Sequence, residues 1–131
     1  MMVYEELTQK IIGCAFKVHK VLGSGYLEKV YENALCFELA KQQLAAQQQV
    51  PLTVYYEGQS VGDFIADIVV EGCVIVEVKA VRALNQQHEA QVVNYLTTTG
   101  LEIGLLINFG SSSVEIKRKH RNYKPTHHTR P

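Results

Sequence analysis

The sequence predicts an α/β chain with the element order ααβββαββ. Three observations carry this prediction. Two helical stripes open the chain, glycine-broken runs of β-branched and aromatic residues follow Pro51, and a further helix separates those runs from two more. At 131 residues with 47% hydrophobic content, the chain has the size of one domain and enough apolar side chains for a single core.

In residues 5–22, Leu7, Ile11, Ile12, Ala15, Val18 and Leu22 recur at steps of three and four, the stripe of an amphipathic helix, and Gly23-Ser24-Gly25 ends it. A second helix is expected over 26–46, with Leu27, Val30, Ala34 and Leu35 on its apolar stripe and a glutamine-rich exit at 42–49. Pro51 stops that helix. Strands are expected at 52–57, 61–70 and 73–80, joined at Gly58 and at Glu71-Gly72. The third of these is apolar on both faces until it meets Glu77 and Lys79, as a buried central strand would be when its end opens onto a site. Asn85 is placed to cap a helix that runs to 99 and is closed by Gly100. Strands at 103–109 and 114–117 complete the order.

The zero net charge conceals an asymmetry. Residues 117–131 hold six of the thirteen basic side chains and no acid, which leaves seven basic against thirteen acidic residues, minus six, on the body. The division is therefore a domain over 1–118 and a basic, flexible segment over 119–131, which is either a solvated tail or a contact for nucleic acid. Cys14, Cys36 and Cys73 are odd in number and set among apolar residues, so they fit neither a disulfide framework nor a CxxC motif. Reduced thiols in a cytoplasmic protein are expected. No signal-like start and no stretch near ~18 apolar residues is present, so neither export nor membrane insertion is expected.

Buried charge is costly unless paired or metal-bound, and two acids lie inside apolar strands, Asp67 and Glu77. If Glu71-Gly72-Cys73 forms a three-residue hairpin loop with positive φ at Gly72, Asp67 falls opposite Glu77, with Cβ atoms roughly 5 Å apart. Like charges that close repel unless a divalent cation joins them. Lys79 lies two residues beyond Glu77 on the same strand face. A magnesium or manganese ion on the pair would polarise a phosphodiester and acidify a bound water, with Lys79 orienting or deprotonating that water or offsetting transition-state charge. The alternative is a Glu77–Lys79 pair and a hydrogen-bonded Asp67 with no metal.

The acid followed by E-x-K on the next strand, with helices before and after, resembles the PD-(D/E)xK nuclease superfamily. Ala66 stands where the superfamily's name has proline. More narrowly, Gly25-Tyr26-Leu27-Glu28-Lys29-Val30-Tyr31 resembles the signature of the prokaryotic GxxExxY proteins. The likeness continues through Asp67, Glu77-Val78-Lys79, 88–91, 94–96 and 104–109, covering roughly 5–118. It implies a restriction-endonuclease-like mixed central sheet with flanking helices. It also implies metal-dependent hydrolysis of nucleic acid, DNA before RNA, with Glu28, Asp67, Glu77, Lys79 and Gln91 as catalytic residues. Asp67, Glu77 and the Val78 carbonyl are the implied metal ligands, with Tyr31 and Tyr95 against substrate. Glu28, Tyr31 and Glu32 share one helix face, so a third acid can approach the metal pair; for Glu28 and Glu32 a solvated helix face is the alternative. Gln91 and Tyr95 reproduce the QxxxY element of RecB-like exonuclease domains; a plain core aromatic is the alternative for Tyr95.

Other signals are weaker. Gly23-Ser24-Gly25 follows a helix and lacks a GK[ST] continuation, so it is a helix break and not a phosphate loop. The five histidines show no zinc spacing, and His88 either lines the cleft or sits on the surface. No serine or cysteine has a partnered base. Two other function classes remain open: a non-catalytic nucleic-acid module, and a protein-interaction component of a larger prokaryotic system. A homodimer or a protein partner is compatible with either.

Overall fold

The computed structural model describes residues 2–121. The elements are α1 (Met2–Leu22), α2 (Glu28–Lys41), β1 (Ala46–Tyr56), β2 (Gln59–Val70), β3 (Val74–Lys79), α3 (Gln86–Thr99), β4 (Ile103–Asn108) and β5 (Glu115–His120). They form one five-stranded sheet in the order β1-β2-β3-β4-β5, in which only β3 and β4 run parallel. A parallel neighbour requires a crossover, and α3 supplies it. The result is a mixed, helix-flanked sheet in the expected element order.

Two apolar layers hold the sheet. On one face α1 and α2 bury Ile11, Val18, Leu35 and Leu39 against Ile68, Val70, Val76, Leu105 and Ile107. On the other, α3 lays Val92, Tyr95 and Leu96 over Ala66, Ile75 and Leu106. Close approach of α3 requires Gly104, where a Cβ would come within 2.6 Å of Val92 Cγ1.

Helix α2 departs from the expected stripe. Leu27 and Val30 are exposed, and the buried line is Tyr31, Leu35 and Leu39 at steps of four. The helix is turned by Tyr31, whose ring stacks on Phe109 at 4.7 Å between centroids. It also ends earlier than expected. Gln43 takes a left-handed φ of 62°, and Leu44 N–H reaches back to the Leu39 carbonyl while Gln43 N–H bonds Ala40, the double closure of a Schellman motif. The glutamines at 47–49 consequently belong to β1 and not to a helix exit. Pro51 is tolerated inside that strand because β1 lies at the sheet edge.

The turns follow the sequence chemistry. Glu57 and Gly58 both have positive φ in a two-residue hairpin between Tyr56 and Gln59, and Val70 pairs with Val74 across the three-residue loop 71–73. Asn85 caps α3 as expected, but its partner in a capping box is His88, whose Nδ1 accepts the Asn85 N–H. His88 is thus a helix-capping residue. Strand β5 runs through His120 and Arg121 pairs with Glu102, so the first residues of the basic 119–131 segment are built into the fold; 122–131 lie outside the described residues. The three cysteines are free thiols, and no helix among the described residues is long and apolar enough to cross a membrane.

Candidate metal centre

The β2–β3 ladder sets the position of the acid pair. Its register runs Val70↔Val74, Val69↔Ile75, Ile68↔Val76, and there the paired rungs stop. The next rung in this register is Asp67 with Glu77. The main-chain ladder is replaced there by side chains: Glu77 Oε2 accepts the Asp67 N–H at 2.9 Å, and Asp67 Oδ2 accepts the Val78 N–H at 2.9 Å. Each carboxylate thus occupies a backbone donor on the opposite strand, and the sheet opens at the site.

The opening has a local cause. Phe64 packs on Tyr95 and Ala66 lies beneath α3, whereas Ile68 and Val70 face α1 and α2. The period-two alternation of β2 therefore slips by one residue at Asp67. Strand β1 slips at the same level: Ala46 belongs to the α1/α2 layer, Val50 and Leu52 to the α3 layer, and Gln49 between them has φ of 55°. Since both strands slip together, Gln48↔Ile68 and Val50↔Ala66 keep a common register, with Gln49 and Asp67 facing each other in the gap.

Electrostatics distinguish the two acids. Glu77 is 4% exposed, and its carboxyl is pushed up to about 8, first by burial and then by the charge of Asp67, against the opposing effects of the Asp67 N–H and Lys79. Asp67 is half-buried and raised for the same leading reason, with the Val78 N–H opposing and Glu32 and Glu28 adding to the rise. Tyr95 packs with Ala66 and Phe64, next to Asp67 on β2, and burial, followed by the charges of Glu77 and Asp67, raises its hydroxyl to about 12. Lys79 is half-buried at the end of β3, in register with Asn108 of β4, and is the cation whose field lowers both acids.

The remaining expected residues separate. Glu28 opens α2, is exposed, and reaches Asp67 through its charge alone. Gln91 is half-buried one turn before Tyr95, and its amide makes no hydrogen bond within the described residues. Tyr31 is not in the cleft. It is fully buried, its hydroxyl donates to the Gly23 carbonyl and accepts the Tyr26 N–H, and its ring is covered by Phe109, so substrate contact is replaced by a structural task at the α1–α2 turn.

Sequence reasoning put Glu32 on the helix face that can bring a third acid toward the pair, but missed the glutamines that hold it. Glu32 is 3% exposed and takes hydrogen bonds from Gln48 Nε2 at 2.8 Å, from Gln49 Nε2 at 3.0 and 3.1 Å, and from Lys29 Nζ at 3.3 Å. The available signal was three glutamines directly before a β-branched run, which suits a strand as well as a helix exit.

The donor set suits a hard divalent cation. Among the described residues Asp67 Oδ1 and Glu77 Oε1 carry no hydrogen bond, and both carboxyls sit in surroundings that resist two uncompensated negative charges. No cluster of three or more His, Cys, Asp or Glu side chains able to hold a metal is preassembled among the described residues.

Comparison with known proteins gives a family and a fold likeness. A family model described as PD-(D/E)XK nuclease superfamily matches residues 5–119. The fold is similar to that in the crystal structure of SSO0001, with a TM-score of 0.58 at 17% identity over 73% of this chain and 50% of that one. The chain thus matches about half the length of SSO0001, and at this identity the likeness is one of fold alone. No curated protein matches the chain.

Proposed function

Since the chain belongs to the PD-(D/E)XK nuclease superfamily, we propose that it is a metal-dependent nuclease that hydrolyses phosphodiester bonds of nucleic acid, DNA before RNA. The observation that carries this reading is the Asp67–Glu77 pair, a half-buried and a buried carboxylate side by side at a break in the sheet with Lys79 at the end of β3. Nucleases of this superfamily generally use divalent metal ions. Within the narrower GxxExxY reading, magnesium or manganese is the ion, and Asp67, Glu77 and the Val78 carbonyl are its ligands. The bound ion supplies a Lewis acid and an acidified water.

The protein's own groups do the rest. Lys79 Nζ orients the attacking water and offsets charge that builds on the non-bridging phosphate oxygens. Gln91, whose amide is uncommitted, contacts the scissile phosphate or the neighbouring backbone, and Tyr95 forms the wall against which that strand rests. Glu28, exposed at the mouth, adds negative charge that favours the cation. The test is cleavage of plasmid and oligonucleotide DNA with magnesium or manganese. Wild type is expected to cut only with the ion, and Asp67→Asn, Glu77→Gln and Lys79→Ala each to fall by at least about a hundredfold with the fold retained. Unchanged rates in all three variants would refute the proposal.

A further inference from the structure

Gln49 combines three properties that no other residue of β1 shares. Its backbone is left-handed at φ 55°, a conformation that costs a non-glycine residue free energy. It occupies the gap opposite Asp67, where both strands slip. Its side-chain amide reaches both oxygens of Glu32, a carboxylate buried on α2 behind the acid pair. A strained residue persists where surrounding interactions over-determine it, and here they are the hydrogen bonds to Glu32.

We propose that Gln49 is a positioning residue that fixes Glu32 as a third carboxylate facing Asp67 and Glu77, so that the centre binds a divalent cation more tightly than the acid pair alone. This rests on the metal-centre reading given above. Glu32 is not an additional ligand in this scheme. Its oxygens are taken by the amides of Gln48 and Gln49 and by Lys29, so it acts through its field. That field arises beside the pair, since Gln49, which bonds both Glu32 oxygens, stands in the gap opposite Asp67. A negative charge held still in a poorly screened interior favours a cation more than the same charge on a mobile exposed side chain. Gln48, which also bonds Asn33, anchors the far side of the same carboxylate to the α2 surface.

Thermal unfolding with increasing manganese tests this, because one experiment reads both cation-free stability and cation affinity. Glu32→Gln and Gln49→Gly are each expected to weaken manganese binding about tenfold, the lower end for groups that support a metal site from outside its ligands. Gln49→Gly is expected to keep or raise the cation-free midpoint, because glycine adopts φ 55° without strain. A purely structural role predicts the opposite pattern, a lower midpoint with unchanged affinity. Gln49→Asn, which tolerates the left-handed backbone but is too short to reach Glu32, should reproduce the affinity loss and guards against a folding failure of the glycine variant. Manganese affinity within twofold of wild type in Glu32→Gln and both Gln49 variants, with Asp67→Asn unresponsive to manganese, would overturn the positioning role alone. A wild-type response in Asp67→Asn would overturn the metal centre itself.

Discussion

At Glu77, burial and ionisation oppose each other, and the balance makes pH a probe of the site. Its carboxyl rises from an ordinary 4.5 to about 8. A folded-state value above the unfolded one contributes stability that is complete below about 4.5 and is lost as pH rises through about 8. Without divalent cations, the midpoint of unfolding is therefore expected to fall between pH 5 and pH 8, and Glu77→Gln to flatten that fall, gaining roughly 1–3 kcal/mol at pH 8. Cation affinity should move the other way, strengthening up to about pH 8 as the competing proton leaves. Titrations at both pH values check the two signs. Tyr31 gives a second prediction at this scale. Tyr31→Phe strips the Gly23 carbonyl and the Tyr26 N–H of their partner and should cost about 1–2 kcal/mol in denaturant unfolding, with the Michaelis constant for nucleic acid unchanged. The sequence set Asp67 opposite Glu77, as the β2–β3 register does, because apolar strands make buried charge conspicuous. It could not separate Tyr31 from Tyr95, because both are aromatics on helices beside acidic motifs and only packing decides which one faces the cleft.

Elements were legible where local chemistry is strong. Asn85 and Gly100 bracket α3, and the loop at Glu71-Gly72-Cys73 gave the register that sets Asp67 against Glu77. The boundary between α2 and β1 was not legible, because Gln42 to Gln49 are fair helix formers and the Schellman closure uses Gln43 where glycine is usual. Neither slip, at Gln49 or at Asp67, leaves a mark on hydrophobic alternation, since one ends a run of glutamines and the other is the acid itself. Two glycines test the packing that supports these elements. A Cβ on Gly110 would lie 2.3 Å from the Val81 carbonyl oxygen and 2.4 Å from its nitrogen, a backbone clash no rotamer relieves. The same Val81 groups are held by Asn108, which also receives the Gly110 N–H, so the loop leaving β3 cannot retreat. Gly110→Ala is expected to cost more than about 2 kcal/mol. Gly13, inside α1 with open space around it, is the contrast: Gly13→Ala should gain about 0.5–1 kcal/mol. Chemical denaturation of the pair measures both.

At the scale of the whole molecule, the sheet is a firm β3-β4-β5 block joined to a long β1-β2 hairpin through three rungs, and the acid pair sits where the two part. This split places carboxylates, Lys79 and Tyr95 at one opening while α1 and α2 close the opposite layer. Charge asymmetry was visible in the sequence, but its disposition was not. Lys119 is paired with Glu89 at 2.9 Å and Arg121 with Glu102, so the basic strand offers less to a polyanion than its composition suggests. If β5 contacts phosphate, Lys117→Ala should reduce the slope of log affinity against log salt by about 0.9, and Lys119→Ala by less, which anisotropy titrations with duplex DNA would resolve. Metal-dependent hydrolysis by this chain requires the acid pair to be a cation centre. Calorimetric titration of manganese at pH 8 into wild type and Asp67→Asn tests that directly: saturable binding by wild type and none by the variant is predicted, and equal binding by both, or none by either, would contradict it.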